Sequence, residues 1–207
     1  MTTVLVIAKE PVPGWVKTRL IPWYSAKDAA ALAEAALVDT LEAVRSTTAA
    51  RRVLVLDGAP GAWLPPGIEV VPQAHGGLDE RLAAAFAACT GPALLIGMDT
   101  PQVTPALLAR GLELASGEAA FGPAEDGGFW ALGLAEPDPA LLRGVPMSVP
   151  ETGAVQRRRL VEAGLTVRDL PRLRDVDTPD DARLVAAATP GSRFAAEVAR
   201  LARAGAR

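Results

Sequence analysis

An unbroken apolar run, Ala93-Leu94-Leu95-Ile96-Gly97, leads straight into Met98-Asp99-Thr100-Pro101. A run this short and this apolar reads as a strand buried on both faces, as in the middle of a parallel sheet. An acid at the carboxyl end of such a strand sits where open α/β sheets bind their ligands. Asp99 can equally cap the helix expected near Pro105 or open a turn. The run alone leaves both readings standing.

The rest of the chain extends the pattern. Thr3–Ala8, Arg52–Asp57, Ile68–Pro72, Ala119–Pro123, Phe129–Leu134 and Thr166–Leu170 read as further strands. Ala26–Arg45 is a long amphipathic helix, with Leu32, Ala36, Leu37, Leu41 and Val44 at helical spacing and Ser25 as its cap. Helices are also expected over Leu78–Ala88, Pro105–Ser116, Pro139–Arg143, Glu151–Ala163, from Pro179, and over Arg193–Ala204. Strand alternating with helix predicts an α/β chain with a sheet covered by helices. With 207 residues, half of them hydrophobic, no repeats and no long linker, 1–207 reads as a single domain.

Composition removes several function classes. No apolar run approaches the roughly 18 residues of a membrane span, and Thr3–Ala8 leads into charged, Pro-rich sequence rather than a signal-peptide cleavage site. A cytoplasmic protein without a membrane partner is expected. A net charge of -3 speaks against nucleic acid as a partner. Cys89, the single cysteine, leaves no internal disulfide and no cysteine-based metal site. His75, the single histidine, reads as an exposed loop residue.

Three loops at strand ends carry chemistry. In Lys9–Leu20, Pro11, Pro13 and Gly14 prevent regular structure, and Lys9, Lys17 and Arg19 suit an anionic ligand, above all a phosphate chain. Only three of the 21 basic residues are lysines, and two of them lie here; lysine and arginine are not interchangeable at a tight phosphate site. A solvated basic loop is the alternative. In the second loop, after Pro72, Gln73 can both donate and accept, and Gly76-Gly77 would let backbone approach a flat ligand. The third, Glu125-Asp126-Gly127-Gly128, is a hairpin signal that also carries two acids. Later, Leu173–Asp177 alternates in polarity and ends in an acidic turn. Thr178 or Asp177 would cap the helix from Pro179, which leaves the pairing of Asp175 with Asp177 unexplained.

Taken together, Ala8-Lys9 with Pro11, Pro13-Gly14 and Val16-Lys17-Thr18-Arg19-Leu20, then Gly97, Asp99 and Pro101, then Gly122-Pro123 with Asp126-Gly127-Gly128, then Asp175-Val176-Asp177-Thr178-Pro179, resemble one family in order and spacing. The chain is similar, over roughly Thr3–Ala187, to the bacterial rSAM/selenodomain-associated transferases, often called glycosyltransferases. The resemblance extends more distantly to phospholactate and molybdenum cofactor guanylyltransferases. It implies the nucleotide-diphospho-sugar transferase superfamily and its GT-A fold, a Rossmann-like three-layer α/β/α sandwich with a mostly parallel mixed sheet. It also implies roles. Ala8, Lys9 and Gly14 would border the nucleotide, and Gln73, Gly77 and Leu78 the base. Lys17 and Arg19 would hold phosphates, Asp99 and Asp177 a Mg²⁺ or Mn²⁺ ion, and Asp126 would face the second substrate. The partners implied are a nucleotide or nucleotide-sugar donor and a small-molecule acceptor; a homodimer is compatible with this.

The expected reaction is glycosyl transfer from a nucleotide sugar to a small acceptor, with nucleotidylyl transfer as the runner-up. The family name implies a metal-dependent glycosyl transfer from a nucleotide sugar. That needs a base for the acceptor hydroxyl, and Asp126, ahead of Glu125, is the candidate. Many GT-A enzymes carry Asp-x-Asp at the metal strand, whereas here Gly97 fills the first slot. That gap and the Lys-Thr-Arg loop lean towards a nucleotidylyltransferase, which would couple a nucleoside triphosphate to a phosphorylated molecule and release pyrophosphate. A nucleotide-binding regulatory domain is the non-enzymatic alternative.

Overall fold

A computed structural model describes residues 1–21 and 23–205. Pro22, Ala206 and Arg207, which the single-domain expectation included, lie outside the described residues. Seven strands form one sheet: β1 (Thr3–Lys9), β2 (Arg51–Asp57), β3 (Glu69–Pro72), β4 (Ala93–Gly97), β5 (Glu118–Pro123), β6 (Phe129–Leu134) and β7 (Thr166–Asp169). Their order is β3-β2-β1-β4-β6-β5-β7, and β6 alone runs antiparallel to its neighbours. The mixed, mostly parallel α/β sheet is therefore as expected.

Side-chain alternation explains the layers. Val4, Val6, Leu94 and Ile96 point to one face, under α1 (Ala26–Arg45) and α3 (Pro105–Leu112). Leu5, Val53, Val55 and Leu95 point to the other, under α2 (Leu78–Ala87) and α4 (Thr152–Glu162). A third cluster joins the outer side of α1 to α5 (Pro179–Ala188) and α6 (Arg193–Gly205) through Leu32, Val185 and Phe194. Each fully buried aliphatic contributes about 1.5–3 kcal/mol, so both faces of β4 are committed and the strand cannot slip register.

Local signals decide the element ends. Ser25 Oγ accepts from the Asp28 amide and caps α1. Thr104, not Asp99, caps α3, and Thr178, not Asp177, caps α5 in a reciprocal pair with Asp181. Both aspartates are thereby released from capping. Helix α3 ends at Leu112, short of the expected Ser116. There Leu114 turns back onto the core and the Glu118 carboxylate accepts from the Ala115 amide, which closes a turn in place of another helical one. The expected helix at Pro139 is a single 3₁₀ turn, Pro139–Leu141, capped by Asp138.

Candidate active site

The first strand-end loop is anchored before it presents its charges. Val16 is buried in the sheet-facing core and Leu20 in the third cluster. Lys17 lies between them, at φ 49° and ψ 37°, where a residue with a Cβ is strained by about 1–2 kcal/mol. Its side chain turns inwards. Lys17 Nζ lies 2.8 Å from Asp99 Oδ1 and 3.4 Å from Asp177 Oδ1, and the side chain is only 6% exposed. Arg19, on the 3₁₀ turn Thr18–Leu20, reaches Asp177 Oδ2 at 2.6 Å.

Main-chain bonds bring the acids together. The Val176 amide donates to the Asp99 carbonyl, the Gln102 side chain to the Arg174 carbonyl, and Leu173 bridges Ala124. The segment before α5 is thus laced along the β4 and β5 ends. Val176 is buried, so its neighbours Asp175 and Asp177 share the opposite side, facing Asp99.

The electrostatics follow. Burial alone would lower the Lys17 pKa, but Asp99 and then Asp177 outweigh it and raise the ammonium above its ordinary value. Asp175 is pushed up to about 7, first by burial, then by Asp99 and Asp126, with Lys17 pulling the other way. Sequence reasoning noted Asp175 but gave it no role; its spacing two residues before Asp177 was the available signal.

These groups border a cleft of about 700 Å³ at the carboxyl edge of the parallel strands. Lys17, Arg19, Asp99, Asp126 and Asp177 all line it. Ala8, Lys9, Gln73 and Leu78 line it as well. Gly14 and Gly77 do not: Gly14 (φ 83°) forms an exposed turn, and Gly77 is the N-cap of α2. Asp126 lies in a hairpin turn, as the Asp-Gly-Gly signal predicts, and lines the cleft. Ala124–Gly128 joins antiparallel β5 and β6, and Asp126 Oδ1 accepts from the Gly128 amide at 2.8 Å. Gly127 (φ 90°) rests against the Pro150 carbonyl, into which a Cβ would run. Gly122 is needed too, since a Cβ there would meet the ring of Trp130.

Arg81, Phe129 and the segment from Met147 to Pro150 also line the cleft. None carried a sequence motif; Arg81 sits in an ordinary helix and the segment has no period. His75 is exposed, as expected.

The donor set suits a hard divalent ion, because the acids offer only oxygen. Among the described residues, no three histidine, cysteine, aspartate or glutamate side chains form a ready-made metal cage. The Lys17 ammonium stands between Asp99 and Asp177 instead. Mg²⁺ commonly binds through one or two carboxylates with phosphate oxygens and water, so a full cage is not required. The residues therefore fit such an ion arriving with an anionic ligand. Among the described residues, no helix is long and apolar enough to cross a membrane.

Comparison with known proteins agrees with this geometry. The family model described as "Uncharacterized protein conserved in bacteria (DUF2064)" matches residues 28–149. A phosphoenolpyruvate guanylyltransferase from Thermomonospora curvata is 36% identical over 184 residues, covering 83% of this chain and 78% of its own. A candidate nucleotide-diphospho-sugar transferase from Desulfovibrio desulfuricans superposes with a TM-score of 0.85 at 26% identity, over 99% of this chain and 95% of that one. The 2-C-methyl-D-erythritol 4-phosphate cytidylyltransferase of Thermus thermophilus shares the fold, with a TM-score of 0.53 at 21% identity over 91% and 99% of the two chains. These names are not the selenodomain-associated label that the motifs resemble. They make the fold the GT-A-like one of the nucleotide-diphospho-sugar transferases, and the chain, a transferase, belongs to the DUF2064 family.

Proposed function

We propose that this chain is a metal-dependent nucleotidylyltransferase. A phosphate of a small acceptor attacks the α-phosphorus of a nucleoside triphosphate, a new phosphoanhydride forms, and pyrophosphate leaves. The observation that carries this is the buried Lys17 ammonium held between Asp99 and Asp177, with Arg19 beside it. That arrangement is cationic where a triphosphate chain needs charge and acidic where its metal needs oxygen. Asp99 and Asp177, with Asp175 beside them, would hold the ion. When bound, the ion would neutralise charge developing on the departing pyrophosphate.

The chain's own groups do the rest. Lys17 and Arg19 bind and orient the phosphates, which converts attack into a near-unimolecular event. Attack by an acceptor phosphate needs no general base. Glycosyl transfer does, and its candidate, Asp126, already has one carboxylate oxygen engaged in the hairpin turn. The guanylyltransferase relative supports the same direction and makes phosphoenolpyruvate the first acceptor to try. A single cytoplasmic domain is part of the proposal.

The test is a product assay with Mg²⁺ or Mn²⁺. Four nucleoside triphosphates with phosphoenolpyruvate and related phosphorylated acids are compared with nucleotide sugars. Pyrophosphate and a nucleoside-diphosphate adduct are expected. Release of nucleoside diphosphate from a nucleotide sugar would replace this reading with glycosyl transfer.

A further inference from the structure

Two of the four tryptophans, Trp63 and Trp130, pack on the core under α1, and the Trp130 indole N–H donates to the Pro171 carbonyl at 2.9 Å. Trp15 and Trp23 belong to none of the three core clusters. Trp15 is 74% exposed and yet lines the main cleft, whereas Trp23 does not. A large apolar ring left in water at a cleft wall marks a contact that is completed when the cleft is occupied. The loop is built to present this ring. At its root the Glu10 amide donates to the Asp57 carbonyl, and the Glu10 carboxylate accepts from the Ala59 amide. At its far end Val16 is pinned in the core. Between them Gly14 sits at φ 83°, with open space where a Cβ would be. Val16 therefore points down, Lys17 points in between two carboxylates, and Trp15 stands outwards beside them.

A second apolar lip of the same cleft is formed by Met147, Val149 and Pro150. Met147 packs on the core under α2 and α4, and Val16 on the one under α1, so the two lips rise from opposite faces of the sheet. The second lip is fixed. Thr152 Oγ1 donates to the Pro146 carbonyl at 2.8 Å and accepts from the Val149 amide at 3.2 Å. Ser148 between them is held at φ 60°, a strained conformation for a residue with a Cβ. The first lip is looser: among the described residues, Trp15 is tied by its amide alone, which donates to the Val12 carbonyl at 3.0 Å.

We propose that Trp15 excludes water from the transfer. With a triphosphate held at Lys17 and Arg19, the indole closes over it towards Val149 and Pro150 and covers the α-phosphorus. The inference rests on the nucleotidylyl reading above. Two nucleophiles compete for that phosphorus. The acceptor phosphate forms a phosphoanhydride while the bridging bond to the β-phosphate breaks and pyrophosphate leaves. Water breaks the same bond, gives up a proton to solvent and leaves a nucleoside monophosphate. A site that closes against water suppresses the second course. Burial of a large apolar side chain favours the closed state over the open one by about tenfold or more.

The test is the partition of products. The full chain is incubated with Mg²⁺, phosphoenolpyruvate and each of the four nucleoside triphosphates, and nucleoside monophosphate is measured as a share of the pyrophosphate released. That share should be small in the wild type. In Trp15→Ala it should rise about tenfold, with total pyrophosphate release within a few-fold of the wild type. Trp15→Phe keeps an apolar ring and should restore most of the wild-type partition. Trp23→Ala, between β1 and α1 but outside the cleft, should leave the partition unchanged. Acrylamide quenching reads closure without turnover. The fluorescence lost in Trp15→Phe should be readily quenched in the free protein and shielded once the α,β-methylene analogue of the productive triphosphate and phosphoenolpyruvate are bound. A wild-type partition in Trp15→Ala, even with weakened nucleotide binding, would overturn water exclusion and leave the nucleotidylyl reading intact. Quenching unchanged by the ligands would do the same. Pyrophosphate from none of the triphosphates would overturn both.

Discussion

Lys17 Nζ lies 2.8 Å from Asp99 Oδ1, inside the cleft rather than on its rim. An ammonium so held acts as a built-in counterion. It keeps Asp99 and Asp177 close to each other and would compete with any divalent ion that arrives alone. A triphosphate changes the balance, because its oxygens offer Lys17 a new partner while adding ligands for the ion.

Lys17→Met should therefore separate two properties. Without the ammonium, Mn²⁺ alone should bind more tightly, by roughly tenfold, since a competing charge at salt-bridge distance is gone. Turnover should fall by at least about 10², the usual consequence of losing a positioned charge at a reacting centre. Paramagnetic titration of Mn²⁺ and a pyrophosphate assay read the two separately. Unchanged Mn²⁺ affinity would mean that Lys17 does not compete for the site.

Asp99→Asn should weaken metal-dependent nucleotide binding and leave the fold intact, because the carboxylate is 43% exposed and caps no helix. Calorimetry with and without Mg²⁺ checks this. A Mg²⁺-linked gain in affinity equal to that of the wild type would remove Asp99 from the site.

Replacing Lys17 and Arg19 together with Ala should weaken binding more with each phosphate on the ligand. A charge-assisted contact contributes about 1.5–3 kcal/mol, and the exposed Arg19 should contribute the smaller share. Equal losses for a nucleoside and its triphosphate would show that the loop holds no phosphate.

Much of this was readable in advance, for a physical reason. Strands such as Ala93–Gly97 are buried on both faces, so their composition alone reveals them, and the side on which Asp99 emerges follows from the strand ending there. Thr104 and Thr178 show the limit of that reasoning. Each competes with an aspartate for a capping role, and only the folded chain shows that the threonine has it. Arg81 was harder still. It is fixed by a hydrogen bond from its helix to Gln73 in a loop, which leaves no periodic trace in the chain.

Asp175 makes the metal-free protein's stability depend on pH. Burial, then Asp99 and Asp126, raise its carboxyl from 3.8 to about 7 in the folded state. Below about pH 4 both folded and unfolded states hold the proton. Between about 4 and 7 the unfolded chain has released it and the folded one has not, so folding loses up to about 1.4 kcal/mol for each pH unit gained. Above 7 both are ionised and the loss stays constant. Thermal melts in a chelating buffer should show the wild type falling relative to Asp175→Asn as the pH rises from about 4.5 to 7.5. Parallel curves for the two proteins would remove Asp175 as the cause.

The reaction itself is tested at Asp126. One of its oxygens accepts from the Gly128 amide and shapes the hairpin turn. The turn also packs on the start of α4, where the Gly153 amide donates to the Gly127 carbonyl at 2.8 Å. In nucleotidylyl transfer the attacking acceptor phosphate is already an anion, so no proton needs to be removed. Asp126→Asn keeps an oxygen for the Gly128 amide and should then retain pyrophosphate release within a few-fold of the wild type. In glycosyl transfer the same change would remove the general base and lower turnover by about 10²–10⁴. Gly127→Ala is the control for the turn. Its Cβ would collide with the Pro150 carbonyl, so it should raise the KM for the acceptor and lower the melting temperature whichever chemistry operates. Near-normal pyrophosphate release in Asp126→Asn, beside impaired acceptor use in Gly127→Ala, is the outcome the nucleotidylyl reading requires. A collapse of turnover in Asp126→Asn with donor binding intact would return the assignment to glycosyl transfer.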